Sequence, residues 1–111
     1  AQDWGRAVHW FTKAAEQGSR EAQGNLGLCY ERGEGVAEDS GKAVHWFTKA
    51  AEQGEKSAQE KLGDCYANGR GVSQDGGKAV YWSTKAAEQG MMRAQCNLAV
   101  RYAHGEGVAQ D

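Results

Sequence analysis

The chain repeats itself, and that constrains its fold more than anything else in the sequence. WFTKAAEQG stands at 10–18 and again at 46–54, and WSTKAAEQG stands at 82–90, a 36-residue period with no insertion or deletion. A period between about 20 and 50 residues marks an array in which one supersecondary unit is stacked several times. Stacked units make an extended surface rather than one deep cleft.

The period reaches well past that block. Trp10, Trp46 and Trp82 are equivalent, as are Leu26, Leu62 and Leu98, and Tyr30, Tyr66 and Tyr102. Glycine pairs followed by valine recur at Gly33-Gly35-Val36, Gly69-Gly71-Val72 and Gly105-Gly107-Val108, and Asp3, Asp39, Asp75 and Asp111 follow at the same spacing. Most of the 16 glycines recur at repeat joints, not in a disordered linker. AQD occupies both 1–3 and 109–111, and with the mid-pattern start at Ala1 a fragment of a longer solenoid is expected.

Each period reads as two helices. In 39–54, Ala43, Trp46, Phe47, Ala50 and Ala51 fall on one face at about 100° per residue, while Lys42, His45, Thr48 and Lys49 point away. The Asp39 carboxylate is placed to accept the free amides of the first turn. Gly54 is placed to end the helix in the left-handed conformation. In 20–32, Ala22, Leu26, Cys29 and Tyr30 share one face, and Gly27 lets a neighbour approach closely. The pattern predicts B helices at 4–17, 40–53 and 76–89 and A helices at 20–32, 56–68 and 92–104, across one array spanning 1–111. Short connections make neighbours antiparallel, giving an all-α stack of helix pairs. The loop valine is expected under the following helix. No pair covers its own apolar face, so Trp10, Trp46, Trp82, Leu26, Leu62, Leu98, Tyr30, Tyr66 and Tyr102 are expected to be buried against the next pair. Each large side chain buried this way is worth about 1.5–3 kcal/mol.

The segment AQGNLGLCYERGEGVAEDSGKAVHWFTKAAEQG (22–54) resembles the Sel-one-like repeat (SLR), one of the tetratricopeptide-type helical repeats. The likeness covers the whole chain. Its departures are small: Ala99 replaces a glycine, Ser83 replaces Phe, and Trp4 stands where Ser40 and Gly76 stand. The resemblance implies a right-handed superhelical solenoid that acts as a protein–protein interaction scaffold or adaptor. In similar arrays the A helices line the concave wall. The candidate partner contacts are therefore Glu21, Leu28, Glu31 and Arg32 in one unit; Ser57, Glu60, Asp64 and Asn68 in the next; and Arg93, Cys96, Val100 and His104 in the third. These positions change from unit to unit while the framework does not. Leu28 and Val100 are apolar where the helix is expected to be solvated, which suits anchoring a peptide. Met91 and Met92 stand at an A-helix start, where contact with a following repeat is expected.

Chemistry at a catalytic or metal centre is not expected, and neither is a cofactor. Cys29 and Cys65 are equivalent positions one helix spacing apart, about 8–10 Å, whereas a disulfide needs Cα atoms within about 7 Å. They read as small core residues and Cys96 as an exposed thiol. His9 and His45 point outward one period apart, too far to share a metal whose bonds are about 2 Å. Glu16, Glu52 and Glu88 recur at every joint and read as structural. A formal charge of −2 and pI near 5.9 give no reason to expect nucleic acid. No apolar run approaches the roughly 18 residues of a membrane span. The partner class that the resemblance implies is protein or peptide. End-to-end self-association is the alternative: both ends are in the same phase of the repeat, and a heterologous head-to-tail contact builds open filaments.

Overall fold

Three aspartates open three helices in the same way. The Oδ1 atoms of Asp3, Asp39 and Asp75 accept from the backbone N–H of Arg6 (3.0 Å), Lys42 (3.0 Å) and Lys78 (3.1 Å). The computed structural model describes residues 2–105, so the expected roles of Gly107, Val108 and Asp111 lie outside the described residues. Within them the chain forms six helices of 13 residues: α1 (Trp4–Glu16), α2 (Arg20–Arg32), α3 (Ser40–Glu52), α4 (Lys56–Asn68), α5 (Gly76–Glu88) and α6 (Met92–His104). There is no strand among the described residues. The B helices stop one residue earlier than expected. Gln53 caps α3, its N–H bonding to the carbonyls of Ala50 and Ala51, and Gly54 then turns the chain with φ 88°.

Each helix packs chiefly on its chain neighbours, and the array measures 50 × 25 × 24 Å. One buried cluster lies between α1 and α2 (Val8, Ala15, Ala22, Leu26, Cys29), and a second lies between α3 and α4 (Ala43, Val44, Phe47, Ala50, Ala51, Ala58, Leu62, Cys65). Trp46 packs onto the first cluster and Trp82 onto the second, both half-buried. The tryptophan of a B helix therefore closes the pair that precedes it, not the pair that follows. Among the described residues no pair precedes Trp10, which is 66% exposed, contrary to expectation. At the other end Tyr102 is 54% exposed and Leu98 only half-buried, because no described helix follows α6. Val36 and Val72 pack against the core of the pair they leave.

The α2–α3 contact depends on Gly27. A Cβ there would lie 2.7 Å from Cδ1 and Cε1 of Phe47, which is itself 1% exposed. Gly63 plays the same part for α5, where Ser83 replaces the Phe and its Oγ would lie 2.9 Å from the added carbon. The outward histidines hold their neighbours edge-on, with centroids 4.8 Å apart for His9–Trp10 and 5.0 Å for His45–Trp46. Lys42 and Lys78 place their ammonium groups 5.5 Å and 5.3 Å from the ring centroids of Tyr30 and Tyr66 in the preceding A helix.

A glutamine ladder ties the stack together. Gln23 Nε2 donates to the Ala15 carbonyl (3.1 Å), and its Oε1 accepts from Gln53 Nε2 (2.7 Å). Gln59 repeats this with Ala51 (3.2 Å) and Gln89 (2.9 Å). Gln23 and Gln59 are both buried. Each amide thus joins three helices through satisfied hydrogen bonds, which fixes their register while avoiding the penalty of a buried unpaired polar group.

Candidate functional site

The A helices share one flank, and a groove of about 400 Å³ opens there. Glu21, Gly24, Asn25, Leu28 and Arg32 of α2 line one wall, and Ser57, Ala58, Glu60 and Lys61 of α4 line the other. Phe47, Glu55, Met91 and Arg93 complete the lining. The groove exists because Gly24 has no side chain and Leu28 turns inward. Leu28 is half-buried against the α3–α4 cluster, so it is floor rather than the solvated anchor expected from the sequence. Glu55 folds back to cap α4, accepting from the N–H groups of Ser57 (3.1 Å) and Ala58 (2.8 Å).

Glu60 is the main departure from the sequence expectation. Its position in the repeat predicts the solvated part of α4, yet it is only 4% exposed. Arg93 lies across it with Nε 2.8 Å from Oε2, but that oxygen accepts no aligned hydrogen bond from the described residues. Burial pushes the Glu60 carboxyl above its usual range and nearby Asp64 adds to this, while Arg93 and Lys61 pull the other way. Asp64 in turn faces Arg93 Nη2 (3.8 Å) and Arg101 Nη2 (3.9 Å).

Of the twelve candidate contacts, Glu21, Leu28, Arg32, Ser57, Glu60 and Arg93 meet in this groove. The others do not. Glu31 pairs with Lys61 Nζ (3.3 Å) and borders a separate recess with Cys65 and Arg70. Asn68 borders a third recess beside Arg101. Cys96, Val100 and His104 are exposed on α6, outside all three. Sequence reasoning missed Asn25, Glu55 and Lys61, and it assigned Met91 to contact with a following repeat rather than to this groove. Asn25 and Lys61 occupy one repeat position and differ, as do Ser19, Glu55 and Met91, so the same unit-to-unit contrast points to them. Met91 is half-buried at the groove and Met92 is 81% exposed.

Cys29 and Cys65 are buried and Cys96 is exposed, all as free thiols. Burial raises the thiol pKa of Cys29 and Cys65, with Glu34 and Glu31 adding to it, which disfavours the reactive thiolate. Among the described residues no group of three or more His, Cys, Asp or Glu side chains is placed to hold a metal ion, and no helix is long and apolar enough to cross a membrane.

Paired antiparallel helices, each closed by the next, define a helical-repeat solenoid with a groove along its A-helix flank. The chain belongs to the Sel1 repeat family, whose model matches residues 2–19, 20–55, 56–91 and 93–111. That family is a non-catalytic scaffold family whose repeats typically mediate protein–protein interaction. The fold is similar to that of a protective antigen of uropathogenic Escherichia coli that displays an SLR fold (TM-score 0.96, 45% identity, covering 98% of this chain and 23% of that one). It is also similar to a Sel1 repeat protein from Oxalobacter formigenes (TM-score 0.92, 41% identity, 96% of this chain and 44% of that one). Cysteine rich protein B of Helicobacter pylori is a third (TM-score 0.76, 30% identity, 82% and 68%). The chain spans less than half the length of the first two. No curated protein matches it.

Proposed function

We propose that this chain is a protein-binding scaffold whose A-helix flank, centred on the groove between α2 and α4, receives a protein or peptide partner. The observation that carries this reading is the coincidence of groove and variability. Glu21, Ser57 and Arg93 occupy one repeat position, carry three different chemistries, and all line the groove. An apolar floor at Leu28 with charged walls is the composition that combines burial with orientation. The test is affinity capture with the wild-type chain beside a Glu21→Arg/Ser57→Arg variant, both changes lying at exposed positions. Loss of the wild-type partners is expected; capture of the same partners by both chains sinks the assignment.

Head-to-tail self-stacking is the second reading, favoured by the exposed rings of Trp10 and Tyr102 at opposite ends. Ala99 weighs against it. It occupies the position of Gly27, where a Cβ would stand 2.7 Å from the docked Phe47, so Phe11 of another copy would collide there in the same register. Light scattering at rising concentration separates the two: growth in mass supports stacking, and a constant monomer mass removes it.

A further inference from the structure

We propose that Glu60 is the anchor of a guanidinium subsite in this groove, that a partner polypeptide fills it with an arginine side chain, and that Arg93 occupies it in the unliganded chain. The proposal rests on the protein-binding reading of the groove and adds the chemistry of what enters it.

Three observations support it. First, Glu60 is a carboxylate that is 4% exposed, lines the groove, and has an Oε2 with no aligned hydrogen bond from the described residues. A buried charge is costly unless paired and hydrogen-bonded, and here the contact at 2.8 Å rests on one side chain, the exposed Arg93. Second, the group already at the site is a guanidinium with the wrong approach: Arg93 Nε reaches 2.8 Å without aligning, while Nη2 leans towards Asp64 at 3.8 Å. Arg93 is 66% exposed and is held there by its ion pairs with Glu60 and Asp64 alone, contacts that another guanidinium can take over. Third, the pair is particular to this part of the array. The equivalents of Glu60 are Gly24 and Cys96, and those of Arg93 are Glu21 and Ser57, so the repeat framework does not require either charge.

The neighbouring walls suit an arginine. Leu28 and Phe47 offer apolar surface for its methylene stem. Of the other cations lining the groove, Lys61 is committed to Glu31 at 3.3 Å and Arg32 Nη1 lies 3.9 Å from Glu34. A partner arginine entering along the groove axis can present two parallel N–H groups to the carboxylate, the geometry Arg93 does not achieve.

The experiment titrates the intact chain with two acetylated, amidated pentapeptides, Ala-Leu-Arg-Leu-Ala and the same peptide with citrulline for arginine, following backbone amide shifts. The arginine peptide is expected to move the amides of Leu28, Ser57 and Glu60, and to bind about tenfold tighter than the citrulline peptide. Arg93→Ala is expected to tighten the arginine peptide by roughly tenfold, because a competing occupant is removed. Glu60→Gln, nearly isosteric and checked for folding by circular dichroism, is expected to abolish the preference for arginine. An Arg93 that merely braces the repeat would give no such gain on removal. Equal binding of both peptides overturns the guanidinium subsite but leaves the groove as a docking site. Absence of shifts from the arginine peptide in the Arg93→Ala chain also overturns the subsite, while the groove itself is judged by the Glu21→Arg/Ser57→Arg capture.

Discussion

Phe11 and Phe47 sit in the same nonapeptide, WFTKAAEQG, so helix propensity and local contacts cancel when the two are compared. Only the surroundings differ. Phe47 is 1% exposed, wedged over Gly27 of the preceding helix, whereas Phe11 has no described helix before its own and is half-buried. Truncating a buried Phe to Ala costs about 3–5 kcal/mol. A half-buried ring forfeits roughly half its transfer energy and leaves no sealed cavity, so Phe11→Ala should cost about 1–1.5 kcal/mol. The difference, about 2–3 kcal/mol, measures the α2–α3 contact. Urea unfolding followed by far-UV circular dichroism reads both variants, with a constant m-value as the condition for comparing midpoints. Gly27→Ala probes the same contact from the other side and should cost about 1–3 kcal/mol through overpacking. Combined with Phe47→Ala it should cost at least about 1 kcal/mol less than the sum, because the new methyl occupies space the ring vacated. Equal costs for Phe11→Ala and Phe47→Ala within about 0.5 kcal/mol, or strict additivity in the double variant, would refute the nearest-neighbour reasoning.

Trp46→Ala should lower hydrogen-exchange protection in α1 and α2 as well as α3, because the ring closes the α1–α2 core, while Trp10→Ala should leave protection in α2 unchanged. Gln59→Ala strips a partner from the Ala51 carbonyl and from the Gln89 amide, and a loss of about 1–3 kcal/mol in urea unfolding is expected. Met91→Asp should add about 1 kcal/mol by supplying α6 with the cap that Ser19 and Glu55 give to α2 and α4, read as a raised urea midpoint. The Glu60 carboxyl is raised in the folded chain, so the folded state holds its proton to higher pH than the unfolded state does. Stability attributable to this group is therefore greatest below the usual glutamate range of about 4 and declines as pH rises through the folded value. Melting temperatures from pH 4 to 7 should show the wild type losing ground to Glu60→Gln; a gain would mean that the ion pair with Arg93 outweighs burial.

The helices were legible because their caps, stops and apolar faces are local, and each is written three times. The end effects were not. A periodic pattern states what a position does inside an endless stack, so it buries Trp10 and Tyr102 as firmly as Trp46 and Tyr30. The neighbour that would cover them is a property of the array, not of the unit. The AAEQG block shows a related ambiguity: Glu16, Glu52 and Glu88 recur as faithfully as the glutamines beside them, yet these glutamates are exposed while Gln53 and Gln89 carry the ladder.

The groove was legible only as a set of changing positions, and the reason lies in how two equivalent joints are closed. Between α2 and α4 the positions are Gly24, Leu28, Ser57 and Cys65; between α4 and α6 they are Glu60, Asp64, Arg93 and Arg101. The first set is small or apolar and leaves an open groove over a Leu28 floor. The second closes by charge, with Arg93 reaching both Glu60 and Asp64, and Arg101 reaching Asp64 from the position where the other repeats carry cysteine. Opposite charges appearing together at positions the framework leaves free mark a contact across helices. No single-helix reading finds it, because each charge alone looks like an ordinary solvated residue. Glu60 belongs to both joints at once: it lines the groove of the first, and its carboxylate meets Arg93 of the second. That shared membership is why a surface position became a buried one, and why a guanidinium from outside can compete with the one already there.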